Sequence, residues 1–455
     1  MADREFDVVV LGAGPAGEVA AGRAGEGGLE VALVECHLVG GECSYYACMP
    51  SKALLRPGEL LAEVRRVPGA NEAVTGSLDA RATLERRDEV IHHLDDSGQL
   101  GWLDERGVTL VRGDGRLDGE RRVRVGDEVL IARRAVVVAT GSAALIPDIP
   151  GLAEARPWGN REGTTAREVP RRLVVLGGGV VGVELAQAWS SLGSAVTLVE
   201  GEERLISREE PFASEQVEEA LRERGVDVRT GAKAIAVRRE GDEVALDLDG
   251  GDSVTGEELL VAVGRRPRTE DIGLETVGLE ADGPLEVDAG MQVPGHDWLY
   301  AVGDVNGRSQ LTHVGKYQAR VAADRVLGRE AFVRFDGPRS PRVIFTDPEV
   351  AAVGHTLASA LEAGLNVRCV DHPTKSVAGG SFRGRNAPGT CRLVVDEDRR
   401  IIVGATFTGP EIAESLHAAT IALVAEVSLD DLWHAVPAFP TRSEVWLRLL
   451  EHYGL

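Results

Sequence analysis

The feature that most constrains this chain is a pattern of strand, glycine-rich turn, helix and strand that occurs twice. In the first copy, an apolar run over residues 6–11 precedes the turn, and a second apolar run ends at Glu35. In the second copy, the corresponding runs cover residues 172–176 and 195–199, and Glu200 follows. The turn glycines are Gly12, Gly14 and Gly17 in the first copy and Gly177, Gly179 and Gly182 in the second. This order is typical of a Rossmann-like unit, so we expect two such folds in the chain.

Each glycine turn predicts a dinucleotide-binding site. The first glycine permits the bend, the second lets the backbone approach a pyrophosphate, and the third allows the helix to pack closely on the strand. The free N–H groups at the start of the helix then face the phosphates. Glu35 and Glu200 stand where an acid can accept hydrogen bonds from a ribose. A carboxylate at Glu200 repels the extra phosphate of NADP, so we expect NADH to be preferred over NADPH.

Length and charge narrow the class of protein. With 455 residues the chain is too long for one hydrophobic core, and it has no run of the roughly 18 apolar residues that a membrane span requires. The sequence goes from an acidic lead directly into the first apolar run, without the basic region of a signal peptide, so we expect a cytoplasmic protein. The formal net charge of -23 argues against nucleic acid as a partner, because phosphates are neutralised by Lys and Arg.

Changes in pattern suggest where the chain passes between domains. A passage rich in Pro and Gly at residues 146–151 follows an apolar strand over 135–139, and a second crossing is expected near residues 265–269. From about Arg339 the pattern changes to strands followed by a long helix over residues 412–427, which predicts a domain of the α+β class. The predicted fold is therefore α/β, with two Rossmann-like dinucleotide-binding domains and a C-terminal α+β domain.

A pair of cysteines lies directly behind the first dinucleotide unit. Cys43 and Cys48 are separated by four residues, and the sequence Met-Pro-Ser-Lys follows. A cytoplasmic protein keeps most thiols reduced, so a close pair suggests redox chemistry rather than a structural cross-link. The segment from Gly40 to Lys52 strongly resembles the FAD-dependent pyridine nucleotide-disulfide oxidoreductases, the family of dihydrolipoamide dehydrogenase, glutathione reductase and mercuric reductase.

Further matches run along nearly the whole chain. The resemblance implies FAD, a homodimer and a dimerisation domain that helps to close the partner's active site. Asp304 matches the aspartate that binds the ribityl hydroxyls in the family's second flavin motif. The cofactor-binding positions implied outside the two turns and their acids are Gly41, Lys52, Thr140, Gly141, Gly264, Gly303 and Asp304. The implied domains are an FAD domain over residues 1–148 and 270–335, a nicotinamide domain over 149–269 and a dimerisation domain over 336–455.

The resemblance also implies a relay of reducing equivalents from NADH through the flavin to a disulfide between Cys43 and Cys48. Cys48 is the thiol implied to lie beside the flavin ring, and Cys43 is the outer thiol that meets a substrate. Lys52 is implied to lie beside the flavin and to pair with Glu184, which follows the second glycine turn. A reactive thiol needs a lowered pKa, which a nearby cation such as Lys52 can provide.

The C-terminal segment departs from the family pattern. Disulfide-reducing members carry a His-Pro pair whose histidine, oriented by a glutamate, protonates the leaving thiol, whereas this chain has Phe439 before Pro440. Phenylalanine cannot transfer a proton, and general acid–base catalysis contributes roughly 10²- to 10⁴-fold to a rate. Glu444 matches the orienting glutamate but has no histidine to orient, and His434 is not expected to replace that histidine.

The resemblance gives no role to two tyrosines and three further cysteines. Tyr45 and Tyr46 stand where relatives commonly have smaller or amide side chains, and they are compatible with stacking on the flavin, with an acceptor pocket or with packing. Cys36, Cys369 and Cys391 have no motif context, and we expect passive thiols. The C-terminal cysteine pair of mercuric reductase is missing, and no metal site is expected.

Two functions remain open on the sequence. The cysteine pair favours an NADH-dependent reductase of a small disulfide that does not need the histidine. Phe439 favours an NADH-dependent reductase of a quinone, metal ion or other acceptor that reacts directly with the reduced flavin. A redox sensor that holds FAD as a structural ligand has less support, because both nucleotide motifs and the pair Lys52 and Glu184 are intact.

Overall fold

The computed structural model describes residues 3–455, in which helices and strands alternate over most of the chain. The strands are β1 (Arg4–Leu11), β2 (Val31–Glu35), β3 (Val108–Arg112), β4 (Gly115–Leu117), β5 (Arg122–Val125), β6 (Glu128–Val138), β7 (Ser142–Ala144), β8 (Arg172–Leu176), β9 (Ala195–Val199), β10 (Asp227–Arg229), β11 (Ala234–Glu240), β12 (Glu243–Leu248), β13 (Ser253–Gly256), β14 (Glu258–Val261), β15 (Arg265–Pro267), β16 (Leu299–Ala301), β17 (Arg342–Ile344), β18 (Glu349–Gly354), β19 (Val367–Pro373), β20 (Thr390–Asp396) and β21 (Ile401–Gly409).

The helices differ widely in length, from one turn to five. They are α1 (Pro15–Glu26), α2 (Gly41–Tyr45), α3 (Cys48–Arg66), α4 (Ala80–Val90), α5 (Ser97–Glu105), α6 (Asn160–Thr165), α7 (Val180–Ser191), α8 (Pro211–Glu223), α9 (Thr312–Val326), α10 (Leu357–Glu362), α11 (Ala378–Ser381), α12 (Leu416–Val424), α13 (Leu429–His434) and α14 (Glu444–Tyr453).

Contacts between elements divide the chain into two compact units, and each contains one glycine turn. The first unit consists of the residues up to Pro50, Asp88–Leu145 and Arg265–Pro338. The second unit consists of Ser51–Arg87, Ile146–Gly264 and Arg339–Leu455.

The first unit is built on a mainly parallel sheet with the strand order β3–β2–β1–β6, to which β16 adds beside β6. The antiparallel strands β5 and β4 continue the sheet from β6. Val9, Val10 and Leu11 are almost completely buried, as expected for a parallel strand that is covered on both faces. Helices α1 and α9 pack on each other and on strands of this sheet, so they stand directly beside the first glycine turn.

The second unit contains a parallel sheet, β10–β9–β8–β14, and two antiparallel sheets. The smaller antiparallel sheet has the order β11–β12–β13, and the larger has the order β17–β18–β21–β20–β19. Helix α12 packs on β18 and β21, and α14 packs on β19 and β20. This C-terminal arrangement and the two parallel sheets confirm the predicted fold class.

The predicted helix over residues 412–427 was too long at both ends. The structure has a single turn of 3-10 helix at Ala413–Ser415, and α12 ends at Val424. Glu426 adopts a left-handed backbone with φ of +49°. The chain must turn there because Ser428 pairs with β21 and then caps the next helix.

Candidate active site

The first glycine turn joins β1 to α1. Its first and third glycines are tightly packed, and its second glycine has free space beside the Cα atom. Gly12 has φ of +97°, and a Cβ there would lie 2.5 Å from the carbonyl oxygen of Ala139. A Cβ on Gly17 would lie 1.8 Å from the carbonyl oxygen of Gly12. A Cβ on Gly14 would meet no atom within 4 Å. A pyrophosphate can therefore approach the backbone at Gly14 and the start of α1.

The second glycine turn, between β8 and α7, repeats this geometry. A Cβ on Gly177 would lie 2.6 Å from the carbonyl oxygen of Ala262, and one on Gly182 would lie 1.8 Å from that of Gly177. Gly179 again has no atom within 4 Å of the Cβ position. In both turns, close backbone packing requires the first and third positions to be glycine. The second glycine of each turn leaves room for a phosphate group.

Glu35 and Glu200 each bind the backbone of the glycine turn beside them. Glu35 Oε2 accepts a hydrogen bond from the N–H of Ala13 at 2.7 Å, and Oε1 accepts one from the N–H of His37 at 2.7 Å. Glu200 accepts a hydrogen bond from the N–H of Gly178. Each carboxylate is therefore fixed beside its own glycine turn.

Asp304 is a half-buried carboxylate in a short helical turn that starts at Gly303. The hydroxyl of Ser142 donates a hydrogen bond to Asp304 Oδ2 at 2.5 Å, and Arg265 Nε lies 4.0 Å from the same oxygen. Burial raises the pKa of Asp304 above its ordinary value, and the hydrogen bond from Ser142 opposes this shift. A carboxylate in this setting gains from further hydrogen bonds, such as those of sugar hydroxyls.

Thr140 and Gly141 follow β6 and bind the segment after β15. The hydroxyl of Thr140 donates to the carbonyl oxygen of Arg268 at 2.7 Å, and the N–H of Arg268 donates to the carbonyl oxygen of Gly141 at 2.9 Å. The guanidinium of Arg268 also donates to Glu42 at 3.3 Å. These contacts fix the backbone of the Thr140 segment close to the helix that carries Cys43.

The two cysteines lie in short helical segments beside the first glycine turn. Gly41 has φ of +58°, and a Cβ there would lie 2.7 Å from Gly14 Cα, so the start of α2 rests directly on the turn. Cys43 lies within α2 and Cys48 begins α3, and the two thiols share a hydrogen bond. Cys48 Sγ also lies 3.5 Å from Thr312 Oγ1, at the start of α9.

The surroundings of Cys43 set its pKa, and therefore the negative charge that the thiol pair carries. The hydrogen bond with Cys48, burial and the charge of Cys48 raise the pKa of Cys43 well above its ordinary value. A hydrogen bond from Thr312 and the positive charge of Lys316 oppose this shift. Since two adjacent thiolates repel each other, the pair holds one negative charge more easily than two.

Tyr45, one of the two tyrosines between the cysteines, is a core residue. Its side chain is 1% exposed, and burial raises the pKa of Tyr45 to about 12. Its ring packs closely on the backbone at Gly40. Tyr46 is half-buried, and the two ring centroids lie 6.4 Å apart. Of the roles left open by the sequence, packing is the one that the structure gives to Tyr45.

Lys52 and Glu184, both in the second unit, form an ion pair. Lys52 Nζ donates to Glu184 Oε2 at 2.7 Å and to Ser51 Oγ at 3.3 Å. Glu184 Oε1 accepts a hydrogen bond from the N–H of Phe345 at 2.9 Å, and the Phe345 ring centroid lies 4.7 Å from Lys52 Nζ. Glu184 is only 3% exposed, so the lysine is held by a buried carboxylate and an aromatic face.

The C-terminal segment places no proton donor at the position of the family histidine. Phe439 is 75% exposed, and His434 is exposed at the end of α13. Glu444 begins α14, accepts a hydrogen bond from Arg448 at 2.6 Å and accepts another from the N–H of Ala378 at 3.1 Å. The predicted orienting glutamate is therefore held by other partners in its own unit.

Several neighbours of these residues, seven polar side chains and one phenylalanine, were not identified from the sequence. They are Glu18, Glu42, Ser142, Arg265, Arg268, Thr312, Lys316 and Phe345. None of them has a spacing in the sequence that by itself indicates a partner. Gly264 is exposed, has φ of +149° and ends the middle segment of the second unit.

No helix over residues 3–455 is both long and apolar enough to cross a membrane. The same described residues contain no group of three or more His, Cys, Asp and Glu side chains that could hold a metal ion.

Two dinucleotide-type turns and a thiol pair beside one of them define a flavin- and nicotinamide-dependent disulfide oxidoreductase. The chain belongs to the pyridine nucleotide-disulphide oxidoreductase family, whose profile matches residues 6–319, and the family's dimerisation domain matches residues 340–449. It is therefore an FAD-dependent enzyme that moves reducing equivalents between a nicotinamide nucleotide and a disulfide centre, and the dimerisation domain supports a homodimer.

Two relatives and two solved structures are similar to this chain over nearly its whole length. The chain is 34% identical to a dihydrolipoyl dehydrogenase of Thermus scotoductus, with 97% of this chain and 96% of that protein covered. It is 30% identical to a mercuric reductase of Staphylococcus aureus, with 97% and 81% covered. The crystal structure of LpdA from Mycobacterium tuberculosis superposes with a TM-score of 0.86 at 25% identity, covering 99% of this chain and 100% of LpdA. The HOCl-induced flavoprotein disulfide reductase RclA from Escherichia coli shares the fold, with a TM-score of 0.85 at 23% identity and 98% and 99% covered.

Proposed function

We propose that this enzyme uses NADH to reduce a small disulfide through Cys43 and Cys48. The observation that carries the proposal is the contact of the two thiols with each other and with Thr312. A pair that holds a single negative charge has one thiolate available to attack a disulfide and one thiol in reserve. The relatives named dihydrolipoyl dehydrogenase make lipoamide the first disulfide to test.

The residues of the first unit fit FAD. The opening at Gly14 has room for a pyrophosphate, Glu35 is proposed to bind the ribose, and the half-buried Asp304 is proposed to accept hydrogen bonds from the ribityl hydroxyls. When bound, FAD supplies two-electron transfer between the nicotinamide and the thiol pair. We assign FAD to residues 1–148 and 270–335, the nicotinamide nucleotide to residues 149–269, and dimerisation to residues 336–455.

The preference for NADH rests on the environment of Glu200. Its carboxylate is fixed at the second glycine turn, where it can accept both ribose hydroxyls of NADH and repels a 2′-phosphate. Arg204, the nearest arginine in sequence, donates to the carbonyl oxygens of Ser207 and Glu209 and to Ser214 Oγ. A guanidinium committed to these partners is not placed to bind a phosphate.

Lys52 and Glu184 are proposed to set the charge next to the reacting centre, as the family resemblance implies. The ammonium group is fixed by Glu184 and the ring of Phe345 rather than free to move in solvent. Fixed positive charge favours the negative charge that develops during reduction, because it needs no reorganisation at the moment of transfer.

Phe439 favours a second candidate function, the reduction of a quinone or another direct acceptor. Its side chain is exposed and cannot protonate a leaving thiol. An acceptor that takes electrons without a leaving thiol would not need that proton. In this case Cys43 and Cys48 would not take part in turnover.

Variants of the two cysteines separate these functions. Cys43→Ser should abolish reduction of lipoamide by NADH and leave any direct reduction of a benzoquinone intact, and Cys369→Ser serves as the control at a cysteine outside the motif. Loss of lipoamide reduction in Cys43→Ser alone supports the disulfide function. Absence of lipoamide and other disulfide reduction in the wild-type enzyme, with fast quinone reduction, would reject it in favour of the second candidate.

A further inference from the structure

A lysine in the first unit connects the outer thiol to a glutamate. The positive charge of Lys316 acts on Cys43 and also on Glu18. All three side chains are half-buried, so their charges are only partly screened by solvent. The outer thiol therefore belongs to a small cluster of titratable groups.

The geometry of α9 directs Lys316 to the thiol pair. Thr312, the first residue of this helix, contacts Cys48 at 3.5 Å and also bonds to Cys43. Lys316 follows Thr312 by four positions, which places both side chains on the same face of the helix. The lysine thus lies one turn behind the contact that holds the two cysteines.

The packing of α1 against α9 brings Glu18 to the same place. A Cβ on Gly315 would lie 3.4 Å from Ala16 Cβ and 3.2 Å from Gly303 Cα, so the absence of a side chain at Gly315 favours this close approach of the helices. Glu18 lies in the first turn of α1, two residues after Ala16. The N-terminal parts of the two helices therefore pack together, with Glu18 in the first turn of α1 and Lys316 just after the first turn of α9.

The groups around Glu18 bring its pKa close to neutral pH. Burial raises the pKa of Glu18 to about 7, the charge of Lys316 opposes the shift, and Glu35 on β2 adds to it. Tyr45 on α2 is the further titratable side chain that interacts with Glu18. Glu18 consequently takes up and releases a proton near neutral pH, which is the range where a proton donor is most effective.

We propose that Lys316 and Glu18 supply the proton for disulfide reduction that a histidine supplies in relatives, with Lys316 as the donor and Glu18 as the positioning residue that recharges it. This inference rests on the proposed disulfide function. It makes the reaction independent of Phe439, because the donor comes from the same unit as the thiols.

The Cys43 thiolate attacks one sulfur of the substrate, the substrate S–S bond breaks, and the leaving thiolate takes a proton from Lys316, which regains one from protonated Glu18. The Cys48 sulfur then attacks Cys43, its proton returns to Glu18, and the second substrate sulfur leaves as a thiolate. The substrate disulfide is reduced to one thiol and one thiolate, and the enzyme pair is oxidised to a disulfide.

Alkylation of the reduced holoenzyme tests, without any substrate, whether the positive charge of Lys316 favours the thiolate form of Cys43. The rate of reaction of Cys43 with iodoacetamide, followed by mass spectrometry from pH 5 to 10, reports its thiolate fraction. Lys316→Met should lower this rate about tenfold at pH 7, because loss of the positive charge raises the pKa of Cys43. Lys316→Arg should keep the wild-type rate, and Arg320→Met, an exposed charge on the same helix, is the matched control. Equal rates in Lys316→Met and wild type would overturn the proposal.

The pH profile of thiol reoxidation by lipoamide tests proton transfer. Glu18→Gln should remove the inflection near pH 7 and slow the step roughly 10²-fold, whereas Glu26→Gln on the same helix should leave it unchanged. Lys316→Arg should slow this step although its alkylation rate is normal, because guanidinium does not release a proton. Reduction of the enzyme by NADH should be unaffected in the control variants Glu26→Gln and Arg320→Met. A wild-type profile in Glu18→Gln would overturn the proposal, whereas failure of the wild type to react with any disulfide would reject the proposed function itself.

Discussion

Glu184 holds Lys52 through a contact of 2.7 Å between its Oε2 and the lysine Nζ, and its other oxygen accepts the N–H of Phe345. The carboxylate is buried, and the lysine is partly accessible, with 34% of its side chain exposed. The ammonium group of Lys52 therefore remains accessible to solvent, while the buried carboxylate of Glu184 fixes its position. A buried carboxylate without its cation would be costly, so the two residues depend on each other.

Loss of either member of this pair should slow reduction of the holoenzyme by NADH. We expect Lys52→Met and Glu184→Gln to lower the rate of flavin bleaching at least about tenfold, because the fixed charge is lost or displaced. Stopped-flow absorbance under anaerobic conditions measures this step alone. Lys375→Met, which removes an exposed lysine, is the control, and a wild-type rate in Lys52→Met would contradict the assigned role.

Replacement of Glu200 should change the choice of nucleotide. Glu200→Ala removes the carboxylate that repels a 2′-phosphate, so we expect the ratio of kcat/KM for NADPH to that for NADH to rise about tenfold or more. Glu203→Ala, an exposed acid three residues further on, should leave the ratio unchanged. Equal efficiency with NADPH and NADH in the wild-type enzyme would show that Glu200 does not select the nucleotide.

Spacing alone predicts those parts of the site that lie within one short segment, whereas the pair of Lys52 and Glu184, 132 positions apart, was implied only by the family resemblance. The glycine turns, their acids and the cysteine pair have fixed spacings that follow from local geometry. The contact between Cys48 and Thr312 joins residues 264 positions apart, and nothing in either segment indicates the other. The end of α12 was missed for the same reason, since Ser428 turns toward β21 through a pairing that local propensity does not contain.

His372 should make the stability of the second unit depend on pH. Both ring nitrogens of His372 are buried without a hydrogen-bond partner, and the ring lies 5.0 Å from that of His452. Burial and the neighbouring His452 lower the pKa of His372 below its ordinary value. Below a pH of about 6.5, His372 is therefore protonated more readily in the unfolded chain than in the folded chain.

The contribution of neutral His372 to the free energy of unfolding is fully present above pH 6.5 or so, about the ordinary pKa of histidine, and is lost as the pH falls through its lowered pKa. Thermal unfolding followed by circular dichroism between pH 5 and 8 should show a smaller loss of Tm on acidification in His372→Leu than in the wild type. His434→Leu, at an exposed position, should behave like the wild type. An identical pH dependence in His372→Leu and wild type would contradict this account.

Asp347 should be among the acids that matter most for stability in the second unit. Its Oδ2 accepts hydrogen bonds from Arg66 at 2.5 Å and Arg224 at 2.6 Å, and the residue is 4% exposed. Asp347→Asn leaves two partly buried guanidinium groups without their counter-charge, a loss of about 3–5 kcal/mol in comparable buried pairs. Asp247→Asn removes the partner of the exposed Arg238 and should cost about 0–1 kcal/mol. Thermal unfolding should therefore show a much larger fall in Tm for Asp347→Asn, and equal falls would contradict the prediction.

The most direct test of the account is to count the thiols of Cys43 and Cys48 during turnover. The oxidised holoenzyme is mixed anaerobically with one equivalent of NADH, and the thiols are alkylated and located by mass spectrometry before and after addition of lipoamide. The account predicts that both cysteines become alkylated after NADH, that lipoamide protects them again, and that a matching amount of dihydrolipoamide appears. Consumption of NADH and reoxidation by an acceptor while both cysteines keep the same state throughout would contradict the central claim.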